Sequence, residues 1–374
     1  MKIAAYVHPR GFKDPTGVGK HQIHMVSALA GLPANEVSLL ASRGELAASV
    51  DFFPNSLREI PLHPIGLARR PLEAMWEVMS FPPAERWCGE VDWMYCPFEF
   101  PVASRKAKLA ATFHCVNWFE RDLPWYDEPT VEQARRRLGP RFRRVAERAD
   151  LIFSVSEFLK GRLCELFHAD PKKVVVVGNG AEESFFAAGR QPPPAWDDRP
   201  RAPYALVVAA LESRKGAEYI LDFARVLLKA EPAARVVIIG GALGVRRFVE
   251  EAEQIPNVEL LGFVPTSEVV ELMRGSVATL VLSRYDTFGI PAVEAMACGA
   301  PVIGANLAGL PEVLDGAGIV LDPARSGEVV EAFRGLLRDR ARWESLRRTG
   351  LERSREFTWV KCADRAAAAM SARS

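Results

Sequence analysis

Short runs of β-branched and other apolar residues alternate along the chain with longer segments of helical period. In the first half the runs are Lys2 to His8, Glu36 to Ala41, Val91 to Tyr95, Leu109 to His114, Leu151 to Val155 and Lys173 to Gly178. In the second half they are Tyr204 to Ala209, Arg235 to Gly240, Val258 to Leu261, Ala278 to Leu282, Pro301 to Gly304 and Gly318 to Leu321. Strand-sized runs without polar alternation are buried on both faces, and helices between them supply the crossovers that parallel strands require. The pattern predicts α/β architecture with two doubly wound, mostly parallel sheets, the second the more regular.

Residues 191 to 203, Gln-Pro-Pro-Pro-Ala-Trp-Asp-Asp-Arg-Pro-Arg-Ala-Pro, suit neither a regular helix nor a central strand, because proline lacks the amide donor and fixes φ. A junction is expected there: a first domain over 1–190, a linker over 191–202 and a second domain over 203–358. Two domains of ordinary size are also what 374 residues suggest. Two lobes imply a cleft.

Composition narrows the partners. Lys plus Arg number 48 against 47 Asp plus Glu, so no global positive field draws the chain onto nucleic acid. The six cysteines (Cys88, Cys96, Cys115, Cys164, Cys298 and Cys362) form no C-x-x-C pair, which reads as reduced thiols in a cytoplasmic protein without a zinc site. The first apolar run ends at His8-Pro9-Arg10, too soon for a signal-peptide core, and no stretch has the length of a membrane span.

The richest chemistry lies in Ser283-Arg284-Tyr285-Asp286-Thr287-Phe288-Gly289-Ile290-Pro291-Ala292-Val293-Glu294, continuing through Gly299. A strand ends in a loop carrying Asp286, Pro291 suits the first helical position, Glu294 is expected in the first turn, and Gly299 closes the helix. The amides of Phe288, Gly289 and Ile290 are expected to be unpaired there. With the helix dipole they would offer a site to a phosphate or sugar oxygen. Taken alone, Glu294 is equally a carboxylate that favours the positive end of its helix.

A second patch, Leu211-Glu212-Ser213-Arg214-Lys215-Gly216, sets two adjacent cations at the carboxyl end of a strand. Fixed Arg and Lys side chains stabilise a departing diphosphate without a metal ion; the alternative is an exposed basic turn. A third, Asp14-Pro15-Thr16-Gly17-Val18-Gly19-Lys20, leads into a helix expected near His21. It lacks both the Walker spacing and a third glycine for a dinucleotide fingerprint.

The Asp286-to-Glu294 segment resembles the E-x7-E signature of the family 4 retaining glycosyltransferases, which adopt the two-lobed GT-B fold, with Asp286 where the family has Glu. The resemblance extends from Met1 to about Lys361, densely in the second domain and loosely before Leu151. It implies transfer of a sugar from a UDP-, GDP- or ADP-linked donor to a glycan or lipid-linked acceptor, in polysaccharide or glycoconjugate biosynthesis, with no cofactor or metal. By the same resemblance Glu294 holds the donor ribose, and Asp286 and His114 lie near the transferred sugar. Arg214 and Lys215 meet the diphosphate, Arg214 standing in for an arginine absent at Ala209-Ala210. Gly17 and Gly19 face the donor, and Phe263 and Val264 border the base. The Ser154-to-Phe158 and Gly178-to-Ala181 segments match as turns and caps. The helix after Phe357-Thr358-Trp359, about 359–374, is expected to cross back onto the first domain. The same fold also serves nucleotide-sugar epimerases, phosphorylases and non-catalytic nucleotide-sugar binders, and fold alone does not separate them.

Between Arg135 and Arg148 the chain is dense in arginine, with Trp118, Phe119, Trp125 and Tyr126 upstream as expected interfacial aromatics. Peripheral contact with an anionic membrane and a solvated helix face both fit this stretch.

Overall fold

The computed structural model describes residues 1–13, 15–193, 202–240 and 244–373. Residues 194–201 of the expected linker, and Asp14, lie outside the described residues. The chain divides into two compact units, Met1–Asn179 with Trp359–Ser374, and Gly180–Thr358.

The first unit contains β1 (Lys2–Tyr6), β2 (Glu36–Ser42), β3 (Leu62–Ile65), β4 (Trp93–Cys96), β5 (Lys108–Phe113), β6 (Leu151–Ser154) and β7 (Val174–Val176). They form one parallel sheet in the order β3-β2-β1-β4-β5-β6-β7. The second contains β8 (Tyr204–Val208), β9 (Arg235–Ile239), β10 (Val258–Gly262), β11 (Ala278–Val281), β12 (Val302–Ala305) and β13 (Ile319–Leu321). Its order is β10-β9-β8-β11-β12-β13, again all parallel. Both orders reverse direction once, between β1 and β4 and between β8 and β11. At such a switch point two crossovers leave in opposite directions and open a crevice at the strand carboxyl ends, where doubly wound sheets bind ligands.

The expectation that the second sheet is the more regular is not met. Both are wound alike, and a register shift between Leu260 and Gly262 falls in the second. β3 escapes sequence reading because Leu62-His63-Pro64-Ile65 contains a proline, which an edge strand tolerates on its unpaired side.

Each sheet buries its own core. In the first, Ile3, Ala5, Leu39, Trp93 and Phe153 pack with Met25, Val26 and Leu29 of the Gly17–Ala30 helix and with Cys362, Ala366 and Met370 of the Trp359–Ser371 helix. In the second, Val207, Ile238 and Leu280 pack with Phe223 of the Ala217–Ala230 helix and Phe333 of the Ser326–Arg338 helix. Each such large side chain contributes about 2 kcal/mol by leaving water.

The division falls between Asn179 and Gly180, not after residue 190. The Glu183–Gly189 helix belongs to the second unit because it packs against the Ile290–Cys298 helix, so closely that a Cβ on Gly189 would collide with the Ala297 carbonyl oxygen. The Gly17–Ala30 helix also begins earlier than expected, so that Gly17 and Gly19 form its first turn.

Three of the four upstream aromatics make contacts within the unit. Trp125 is buried, Phe119 packs edge-on against Phe167 at 4.8 Å, and Tyr126 lies under the Arg135 guanidinium.

Candidate functional site

In the second unit, Arg214, Lys215 and the Asp286 loop meet at the switch point. The loop after β8 makes a 3-10 turn, Ser213–Lys215, and enters the Ala217–Ala230 helix through Gly216 at φ +76°. That backbone region admits glycine without strain, and a Cβ there would also strike the Leu282 carbonyl at the end of β11. The two loops are therefore in backbone contact. The Tyr285 amide donates to the Arg214 carbonyl at 3.1 Å, and the Arg284 guanidinium lies 4.4 Å from the centre of the Tyr219 ring.

Lys215 Nζ donates to Asp286 Oδ2 at 2.6 Å. The other carboxylate oxygen accepts the Gly289 amide at 3.0 Å and, more loosely, the Phe288 amide at 3.4 Å. The expectation that these two amides are unpaired is thus overturned: the short Asp286 side chain folds back on its own loop. Burial pushes the Asp286 carboxyl up, but the ammonium of Lys215, the nearby Arg214 and the loop amides outweigh it and hold the group below its ordinary value. Asp286 is an anion at neutral pH. Arg214 donates to Glu212 at 2.7 Å, with both side chains about one-third exposed. A narrow pocket of about 10 Å³, lined in part by Ala209, Lys215, Ser283, Asp286 and Pro291, lies between the loops. It has room for at most one water.

The helix starts at Ile290, with Gly289 as its left-handed cap at φ +87° and Gly299 closing it at φ +77°. Pro291 is its second residue rather than its first. Glu294 is the fifth, one residue further in than expected and just past the first turn, and only 3% exposed. The spacing sets Ile290, Glu294 and Cys298 on one stripe. Burial and then the Glu294 charge push the Cys298 thiol up to about 12, so it stays protonated and inert. Gly309 completes the frame. Its amide donates to the Asp286 carbonyl at 2.9 Å, and a Cβ there would collide with Thr287. Phe263 and Val264 follow β10, the edge strand, two strands from β8; Phe263 is 69% exposed.

In the first unit, His114 follows β5 and is 8% exposed. Its Nε2 donates to the Pro97 carbonyl at 2.9 Å, and its ring meets His21 edge-on at 4.7 Å. His21 is fully buried. Its Nδ1–H donates to Asn179 Oδ1 at 2.7 Å, and its Nε2 accepts from Tyr95 Oη at 3.1 Å. Burial, then His114, hold its pKa well below the ordinary value against the Asn179 hydrogen bond, so the ring is neutral. His21 lies on the helix that Gly17 and Gly19 begin, and this network joins that helix to His114. Sequence reading missed His21, and assigned Asn179 only a turn role. A buried polar pair 158 residues apart leaves no local signature. Gly19 has a structural reason to be glycine, since a Cβ would stand 2.7 Å from the Gly11 carbonyl oxygen. Ser156 caps the Glu157–Phe167 helix by accepting from the Leu159 amide at 3.0 Å.

Among the described residues, no group of three or more His, Cys, Asp or Glu side chains is placed to hold a metal, and no helix is long and apolar enough to cross a membrane.

The sequence matches two known families: Glycosyltransferase Family 4 over residues 15–185, and Glycosyl transferases group 1 over residues 194–353. It is 26% identical to O-antigen chain mannosyltransferase B of Escherichia coli, over 97% of each chain. It is 25% identical to the D-inositol 3-phosphate glycosyltransferase of Segniliparus rotundus, over 74% of this chain and 62% of that protein. Among solved structures, Anabaena Alr3699/HepE in complex with UDP-glucose superposes with a TM-score of 0.72 over the full length of both chains, at 17% identity.

Proposed function

From the premise that the chain belongs to the family 4 glycosyltransferases, a family of GT-B-fold enzymes that use nucleotide-sugar donors, we propose that it transfers the sugar with retention of configuration to a glycan or lipid-linked acceptor in polysaccharide or glycoconjugate synthesis. The single observation that carries the site assignment is the pairing of the Arg214-Lys215 turn with the Asp286 loop at the β8/β11 switch point. A diphosphate leaving group gains negative charge as its bond to the sugar breaks. Two cations anchored before the reaction stabilise that charge without reorganising. The buried Glu294 carboxylate accepts the hydroxyls of the donor ribose, for which a charged acceptor is the stronger partner.

In this reading the acceptor oxygen bonds to the anomeric carbon from the face the diphosphate leaves. The carbon–oxygen bond to phosphate breaks, and the acceptor proton passes to the departing phosphate oxygen. The protein orients the partners and offsets charge, and no metal or cofactor is called for. Asp286, held by Lys215 and its own loop, acts by positioning Lys215. His114 stands near the transferred sugar, with its ring fixed by Pro97 and His21.

A ligand that binds the native state raises its melting temperature. UDP-, GDP- and ADP-sugars are therefore screened by thermal shift against the parent and Glu294→Ala. A shift with one nucleotide class, lost in the variant, supports the donor site. The absence of any shift sinks it.

A further inference from the structure

The donor reading uses the switch point of the second sheet, and the first sheet holds a polar cluster at its own. His8 follows β1 and Phe98 follows β4, the two strands from which the crossovers diverge, and their rings meet with centroids 4.0 Å apart. The Arg69–Val78 helix, which follows β3, brings Arg69 and Glu73 to the same place, and the Arg43–Ala47 helix, which follows β2, brings Glu45. Each of these residues lies beyond the carboxyl end of a strand, where a doubly wound sheet binds its ligand. None of them belongs to the donor reading.

His8 is the centre of the cluster. Its amide donates to the Gln22 side chain at 3.0 Å, which ties it to the Gly17–Ala30 helix. Its Nε2–H donates to Glu73 Oε1 at 2.7 Å, and its Nδ1 accepts from Arg69 Nη1 at 3.4 Å, so a neutral ring is held between two opposite charges. Tyr6 also donates to Glu73 Oε1, at 3.2 Å. Burial raises the Glu73 carboxyl, but His8, Arg69 and Tyr6 outweigh it and hold the group below its ordinary value. Arg69 and Glu73 are four residues apart on one helix and so share a face. Their bonds to His8 and Tyr6 use Nη1 and Oε1. Nη2 and Oε2 have no hydrogen-bond partner among the described residues and neither is enclosed, the two side chains being 33% and 13% exposed.

We propose that Arg69 and Glu73 bind a neutral sugar by two of its ring hydroxyls, one accepting from Arg69 Nη2 and the other donating to Glu73 Oε2. A donor and an acceptor fixed on one helix face fit adjoining hydroxyls, each of which can take either role, and bonds to charged groups are the stronger kind. The charges of the cluster disfavour an anion. The buried Glu45 carboxylate lies 3.5 Å from both Arg69 and Arg10, so its charge and that of Glu73 balance the two guanidiniums and leave no positive surplus for a phosphate. His8 positions the pair. Only in taking this sugar as the acceptor, a neutral residue of a glycan, does the site rest on the transferase reading.

The test is saturation-transfer NMR of the full chain, without donor, against the methyl glycosides of glucose, galactose, mannose and N-acetylglucosamine, with glucose 1-phosphate as the anionic counterpart. Saturable binding of at least one glycoside is expected, insensitive to salt because the ligand is uncharged, with glucose 1-phosphate weaker. Glu73→Gln keeps an oxygen for His8 and Tyr6, and Arg69→Lys keeps the charge but loses the fork; each is expected to weaken binding about tenfold or more. Arg86→Ala, at an exposed side chain outside the cluster, is expected to bind like the parent. Melting curves show that the variants fold, and Arg69→Lys, on the more exposed of the two side chains, carries the test should Glu73→Gln unfold. No glycoside bound, variants that bind like the parent, or glucose 1-phosphate bound more tightly than every glycoside overturns the proposal. Donor-induced thermal shifts are recorded on the same proteins. A donor shift without glycoside binding sinks the sugar site alone, and glycoside binding without a donor shift sinks the donor reading alone.

Discussion

Lys215 and Asp286, 71 residues apart in sequence, are joined by a 2.6 Å charge-assisted hydrogen bond that spans the two loops of the β8/β11 switch point. One carboxylate oxygen holds the ammonium while the other holds the amides of its own loop. Removing either partner strands the other in a largely buried place. Lys215→Met is expected to cost about 2 kcal/mol, below the range for wholly buried pairs because both side chains still reach some water. Asp286→Asn tests the pH dependence. The folded carboxyl is depressed, so its stabilisation is present above the unfolded value, near 4, and is lost as pH falls through the folded value. Melting temperature followed from pH 7 down to pH 3 is expected to fall less steeply in Asp286→Asn than in the parent.

Glu294→Gln keeps the shape of the side chain and removes its charge. If the carboxylate accepts ribose hydroxyls, two charged hydrogen bonds become weaker neutral ones. The donor identified by thermal shift is then expected to bind at least about tenfold more weakly in calorimetry. Affinity for the donor equal to the parent's would remove Glu294 from the site.

The parallel sheets were legible because strands buried on both faces announce themselves: Arg235-Val-Val-Ile-Ile has no polar alternation to misread. Leu62-His-Pro-Ile was not, since its proline is permitted only by an edge position that the tertiary fold supplies. The Asp286-to-Gly299 segment gave its loop, helix and closing glycine locally. It could not show that Asp286 turns inward, because that depends on Lys215 arriving from another loop. The unit boundary was misplaced for a similar reason. Prolines mark a chain that cannot continue regular structure, but what assigns the Glu183–Gly189 helix is its fit against Ala297.

His21 sits neutral between Asn179 and Tyr95, its pKa depressed first by burial and then by His114. The folded state therefore binds fewer protons than the unfolded chain. The contribution is whole above the unfolded value, near 6.5, and is lost as pH falls below it, at up to about 1.4 kcal/mol per pH unit. Urea unfolding at pH 7, 6 and 5 is expected to show this slope in the parent and a shallower one in His21→Phe. Parallel curves would mean that the ring gains a proton without cost and is not enclosed as described.

Gly216→Ala tests whether the cation turn depends on the backbone contact beneath it. At φ +76° a side chain is strained, and its Cβ would meet the Leu282 carbonyl oxygen, which belongs to backbone and cannot swing away. Strain of this kind costs about 1 to 3 kcal/mol, and relief requires the turn to lift from β11. Because the Arg214 carbonyl accepts the Tyr285 amide, lifting the turn also loosens Lys215 from Asp286. The expected result is a lower melting temperature together with weaker donor binding. Gly327→Ala, whose Cβ would meet nothing within 4 Å, is expected to leave donor binding unchanged. Unaltered donor affinity in Gly216→Ala, despite reduced stability, would show that the turn holds its cations without the β11 contact.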